Sequence, residues 1–116
     1  MEKIVEQTLL YDFYGELLTE HQKRIYENVV FNDLSLSEAA EEAGISRQGV
    51  HDLIRRCTRT LEGYEEKLHL IERFAQTRRQ AEEISRLVQV YREKPEEALL
   101  SRIEEICEAM KEESDK

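Results

Sequence analysis

Only one proline and four glycines interrupt the 116 residues, and no stretch alternates apolar and polar side chains as a half-buried strand does. With so few breakers, and with Glu, Leu, Arg and Ala plentiful, the composition excludes a turn-rich β protein and favours an all-α one. No apolar run is long enough for a membrane span or a secretory leader, and the chain opens Met1-Glu2-Lys3-Ile4-Val5-Glu6, charged from its second residue. A cytoplasmic location without membrane insertion is therefore expected. The two cysteines, Cys57 and Cys107, lie far apart and outside any C-x-x-C or Cys/His ligand spacing, so they read as reduced, part-buried thiols.

Chemistry has equally little to start from. His21, His51 and His69 are scattered, and none has a neighbouring Cys or His at metal-ligand spacing. There is no glycine-rich phosphate loop, G-x-S-x-G elbow or H-E-x-x-H segment. The acid pairs Glu41-Glu42, Glu65-Glu66 and Glu104-Glu105 are sequence neighbours, which a helix turns apart, and they read as solvated surface. A non-enzyme without cofactor or metal is the expectation.

What is present is a succession of helical patterns. The first runs from Lys3 to Leu18, with Ile4, Val5, Leu9, Leu10, Phe13 and Leu17 forming a broad apolar face. Thr19 followed by Gln22 has the form of a capping box, and Ile25, Val29 and Val30 carry a second helix to Asn32 or Asp33. Both would support the segment that follows.

From Ser35 to Arg56 the chain has the layout of a helix-turn-helix. Ser35 and Glu38 make another capping box, and Ala40 supplies the small contact that two steeply crossing helices need. Gly44 follows the last apolar position of the first helix, where a left-handed residue can stop it without a Cβ clash. Ser46 is placed to cap the second helix. Ala39, Ala43, Ile45, Val50 and Leu53 would face inward. Gly49, inside the second helix, costs about 1 kcal/mol relative to alanine and suits a close backbone approach.

Beyond Arg59 to Leu61 a long polar helix carries Leu61, Tyr64, Leu68, Ile71, Phe74, Ile84, Leu87, Val88 and Tyr91, with Gly63 a candidate break near its start. Arg92-Glu93-Lys94-Pro95 reads as a connection, and a last helix from Pro95 to Lys111 aligns Leu99, Ile103, Ile106 and Met110. Arg78 and Arg79 break any regular heptad. The two helices form a hairpin whose stripes must be covered by the N-terminal helices or by a second copy of the chain. The tail Glu112-Glu113-Ser114-Asp115-Lys116 reads as frayed. The expected division is a helix-turn-helix domain with its support helices at 1–61 and a helical extension, a candidate dimerisation element, at 62–116.

Charge separates along the chain. The formal net charge is −9, yet Gly44 to Leu61 holds four arginines and one acid, net +3, against 13 basic and 25 acidic residues elsewhere, net −12. In the usual docking of a helix-turn-helix, Ser46, Arg47, Gln48, His51, Asp52 and Arg55 meet base edges and phosphates, with Arg56 and Arg59 on the backbone. Asp52 could accept from a cytosine amino group or orient Arg55 or Arg56.

Read together, Leu9-Leu10-Tyr11-Asp12-Phe13-Tyr14-Gly15-Glu16-Leu17-Leu18-Thr19, Asp33-Leu34-Ser35-Leu36-Ser37-Glu38, Ile45-Ser46-Arg47-Gln48-Gly49-Val50-His51-Asp52 and Tyr64-Glu65-Glu66-Lys67-Leu68 resemble the YlxM family of bacterial helix-turn-helix proteins. More widely, Leu18 to Leu61 is similar to the promoter-recognising fourth region of sigma factors. The resemblance implies an all-helical, DNA-binding regulatory protein linked to the signal recognition particle pathway, with contacts carried onto Arg47, Gln48, His51 and Arg55. The rival expectation is an adaptor that engages protein components of that particle or structured RNA through the basic helix, without reading DNA sequence.

Overall fold

The structure, a computed structural model, describes residues 3–114. Among them there are six α-helices and no strand: α1 (Lys3–Tyr14), α2 (Glu20–Val30), α3 (Leu36–Ala43), α4 (Arg47–Leu68), α5 (Leu70–Glu93) and α6 (Glu97–Ser114). One compact unit reaches Ile71 and a second begins at Glu72.

Side-chain caps set the starts of α2 and α3. Thr19 Oγ1 accepts the Gln22 N–H at 3.2 Å while the Gln22 side chain accepts the Thr19 N–H at 2.9 Å. Ser35 and Glu38 repeat the arrangement at 3.0 Å in both directions. Donation from the Ser35 backbone N–H, and then from its hydroxyl, holds the Glu38 carboxyl below its ordinary pKa. Each cap satisfies donors that the first helical turn leaves unpaired.

The ends of helices depart from the sequence reading. α1 stops at Tyr14, not Leu18, because Gly15–Leu17 tightens into a 3₁₀ turn closed by the Leu18 N–H on the Gly15 carbonyl. Leu18 is then extended and buried, and Thr19 is free to cap α2. α2 ends at Val30, short of Asn32, as Asp33 turns left-handed with φ 58°. α3 ends where Gly44 takes φ 71° and donates to the Ala40 carbonyl at 2.9 Å.

α4 runs unbroken for 22 residues, so neither Gly63 nor position 61/62 divides the chain. Its inward stripe continues through Leu61, which is fully buried, and only at His69, with φ 56°, does the helix stop. The core gathers on that stripe. Val50, Leu53, Cys57 and Leu61 pack with Leu10, Tyr14 and Leu18, with Ile25 and Tyr26 of α2, and with Ala39 and Ala40 of α3. Tyr11 stacks on Tyr26 with ring centroids 5.5 Å apart, and Phe31 meets both rings at an angle. Burial pushes the Cys57 thiol pKa up, and the Arg56 charge offsets only part of that.

The α4–α5 joint is tied to α1. Tyr14 donates its hydroxyl to Glu65, the Leu70 N–H donates to that same hydroxyl at 3.1 Å, and the Ile71 N–H donates to the Glu65 carboxylate at 3.0 Å. Glu65 is therefore not the solvated surface acid that its place in the pair Glu65-Glu66 suggested. It is half-buried and satisfies the opening turn of α5, where a negative charge is favoured. Burial, and then the Glu65 acceptor, raise the Tyr14 pKa above that of an ordinary phenol.

In the second unit α5 and α6 form an antiparallel hairpin. Gln76 near the start of α5 bonds Glu113 near the end of α6 at 3.2 Å, and Arg102 bonds Glu83 at 3.2 Å. α6 begins at Glu97, just after Pro95, and extends to Ser114, so Glu112 to Ser114 are helical where a frayed tail was expected. Asp115 and Lys116 lie outside the described residues. Ile106 is the buried hydrophobe among the unit's described residues, and Val90 stays exposed.

Gly44→Ala tests the turn. A Cβ there meets nothing within 4 Å, so the cost is backbone strain alone, about 1–2 kcal/mol, read as a lower urea midpoint with unchanged slope.

Candidate nucleic-acid interface

The start of α4 is fixed by Ser46, whose Oγ accepts the Gly49 N–H at 2.9 Å. The hydroxyl oxygen predicted to touch a ligand is thus engaged as the N-cap. Gly49 has a reason here: a Cβ on it would lie 3.1 Å from Ser46 Oγ and crowd the cap. Local chemistry at the turn therefore determines where the helix begins and which residues lie on its outer side.

With Val50, Leu53 and Cys57 turned into the core, Arg47, Gln48, His51, Asp52, Arg55, Arg56 and Arg59 are all exposed. Among the described residues, none of these four arginines makes an ion pair with a carboxylate. The side chains flanking Asp52 account for its role. It accepts from Gln48 Nε2 at 3.1 Å and lies 3.9 Å from His51 Nδ1, so it orders those two and does not orient Arg55 or Arg56 as considered above.

Two recesses border this face. One, of about 390 Å³, is lined by Leu36, Arg47, Gln48 and His51. The other, about 430 Å³, runs beside α4 past His51, Arg55, Thr58, Arg59 and Glu62, over Val29, Leu36 and Ile54, and its far wall is Lys3 and Gln7 of α1. His51 belongs to both. Arg56 and Asp52 line neither recess. Lys3 and Gln7 escaped sequence reasoning because some fifty positions separate them from α4, and nothing local to them marks the encounter.

Over residues 1–112 the chain matches UPF0122, the family described as "Putative helix-turn-helix protein, YlxM / p13 like". The chain belongs to the UPF0122 family. A UPF0122 protein of Thermoanaerobacter sp. (strain X514) is 42% identical over 106 residues, which is 90% of this chain and 91% of the relative. One from Acetivibrio thermocellus is 49% identical over 84 residues, 72% of each chain. A third, from Desulforamulus reducens, is 42% identical over 91 residues, 78% of each. The helix-turn-helix of the UPF0122 description corresponds to α3, the Gly44 turn and α4. No helix among the described residues is long and apolar enough to cross a membrane.

Ser46→Ala removes the acceptor that α4's first turn uses. It is expected to cost about 1 kcal/mol in urea unfolding, with amide exchange rising first at Gly49.

Proposed function

We propose that this protein is a non-enzymatic, cytoplasmic regulatory protein that lays the N-terminal half of α4 against nucleic acid, DNA foremost, in the service of the signal recognition particle pathway. The observation that carries the reading is the set of four exposed arginines without carboxylate partners on the outer side of a helix-turn-helix. An arginine already paired would have to give up its carboxylate to take a phosphate; these do not. Arg47, Gln48 and His51, at the start of the helix, are the side chains for base edges. Arg55, Arg56 and Arg59 follow along the helix and suit the backbone. The link to protein targeting rests on the resemblance to the YlxM family.

Charge reversal at Arg47 together with Arg55 is expected to abolish duplex binding in a gel-shift titration while circular dichroism stays unchanged. Retained binding would sink the assignment. If each of the four arginines meets one B-DNA phosphate, together they contribute about −3.6 to the slope of log K against log salt.

The −12 balance outside residues 44–61 favours a second reading, an adaptor that engages protein components of the targeting machinery or structured RNA. Pull-down from extract with and without nuclease separates the two: a protein partner that persists supports the adaptor. A homodimer through the helices after Leu61 is proposed as well, on the ground that the α5–α6 hairpin buries so little of its own apolar stripe. Light scattering should give twice the monomer mass at micromolar concentration, and a monomer throughout would refute it.

A further inference from the structure

The groove between α1 and α4 has a feature that a helix-turn-helix alone does not supply. Its α4 wall is a row of His51, Arg55 and Arg59, spaced four residues apart so that the side chains lie one above another, the two arginines carrying its positive charge. Its opposite wall is Lys3 and Gln7, again four apart, on a different helix. Like charges from two helices facing one channel of about 430 Å³ repel one another, and Arg55 and Arg59 have no carboxylate within ion-pair distance among the described residues. Glu62, one turn beyond Arg59, is the single acid on the lining and bounds the row at that end.

We infer that this groove holds a run of phosphodiester backbone, so that α1 is part of the interface and Lys3 and Gln7 grip the strand that Arg55 and Arg59 contact from the other side. The inference rests on the nucleic-acid reading of α4. A chain of evenly spaced anions matches a channel with cations on both walls, and an amide beside the lysine suits phosphate oxygens as a neutral donor. Such a contact positions without reading sequence. Lys3 therefore adds affinity equally on all duplexes, whereas the residues at the start of α4 discriminate among them.

The test is a salt titration of a fluorescein-labelled duplex against the wild type, Lys3→Gln and Lys3→Arg, on two unrelated sequences. Lys3 is exposed, so both variants should keep the wild-type circular dichroism. Lys3→Gln is expected to weaken binding about fivefold at 0.15 M salt on both sequences, and to reduce the magnitude of the log K–log salt slope by about 0.9, from about −4.5 to about −3.6. Lys3→Arg should restore both. An unchanged affinity and slope in Lys3→Gln, with binding by the wild type intact, overturns the α1 contact and leaves the role of α4 standing. Absence of duplex binding by the wild type overturns both. Polyglutamate displacing the duplex as effectively as unlabelled DNA of equal charge overturns the backbone assignment in favour of an acidic protein segment.

Discussion

The first unit depends on burial of one stripe of α4. Val50, Leu53, Cys57 and Leu61 are 8% exposed or less, and α1, α2 and α3 all pack against the helix that carries them. A helix whose inner side is so completely occupied cannot rotate about its own axis without moving those side chains out of a close-packed core. The rotation of the outer side is therefore fixed as well. Arg47, Gln48, His51, Arg55 and Arg59 hold their bearing because of what is buried behind them, and the exposed surface they form needs no further ordering beyond that of the side chains themselves.

Features written within a few residues could be read directly. The Ser35 and Thr19 capping boxes, the Ser46 cap and the left-handed Gly44 each use partners no more than four positions away, and each stands where the spacing placed it. The exposure of the arginines followed from the same periodicity. Contacts made across the chain gave no such signal. Glu65 looks like any surface acid beside Glu66, and only the approach of Tyr14, 51 positions away, turns it into the acceptor that starts α5. The end of α4 was misplaced for a related reason: Gly63 has the composition of a break, but Leu61 and Tyr64 on either side are held against the core, and packing outweighs the roughly 1 kcal/mol a helical glycine costs.

The electrostatic arrangement works by contrast. Unit 1 carries an acidic excess outside α4, and the Debye length at physiological salt is about 8 Å, so the positive field of the exposed arginines on α4 is confined to their own neighbourhood. Asp52 carries that contrast onto the arginine-bearing face itself. By occupying Gln48 and standing near His51 it keeps two polar side chains ordered while removing one unit of positive charge from the face. Such a surface gains in selectivity and loses in raw attraction.

His69 ends α4 in a left-handed conformation without being a glycine. Glycine would accept its φ of 56° without strain, but would accept the mirror-image and extended regions as readily, leaving the unfolded and partly opened chain many directions to explore. A residue with a β-carbon tolerates the left-handed well at a cost of about 1–2 kcal/mol and is denied most of the rest. The strain is the counterpart of a narrower choice: the loss of conformational entropy on closing the Tyr14–Glu65 contact is reduced.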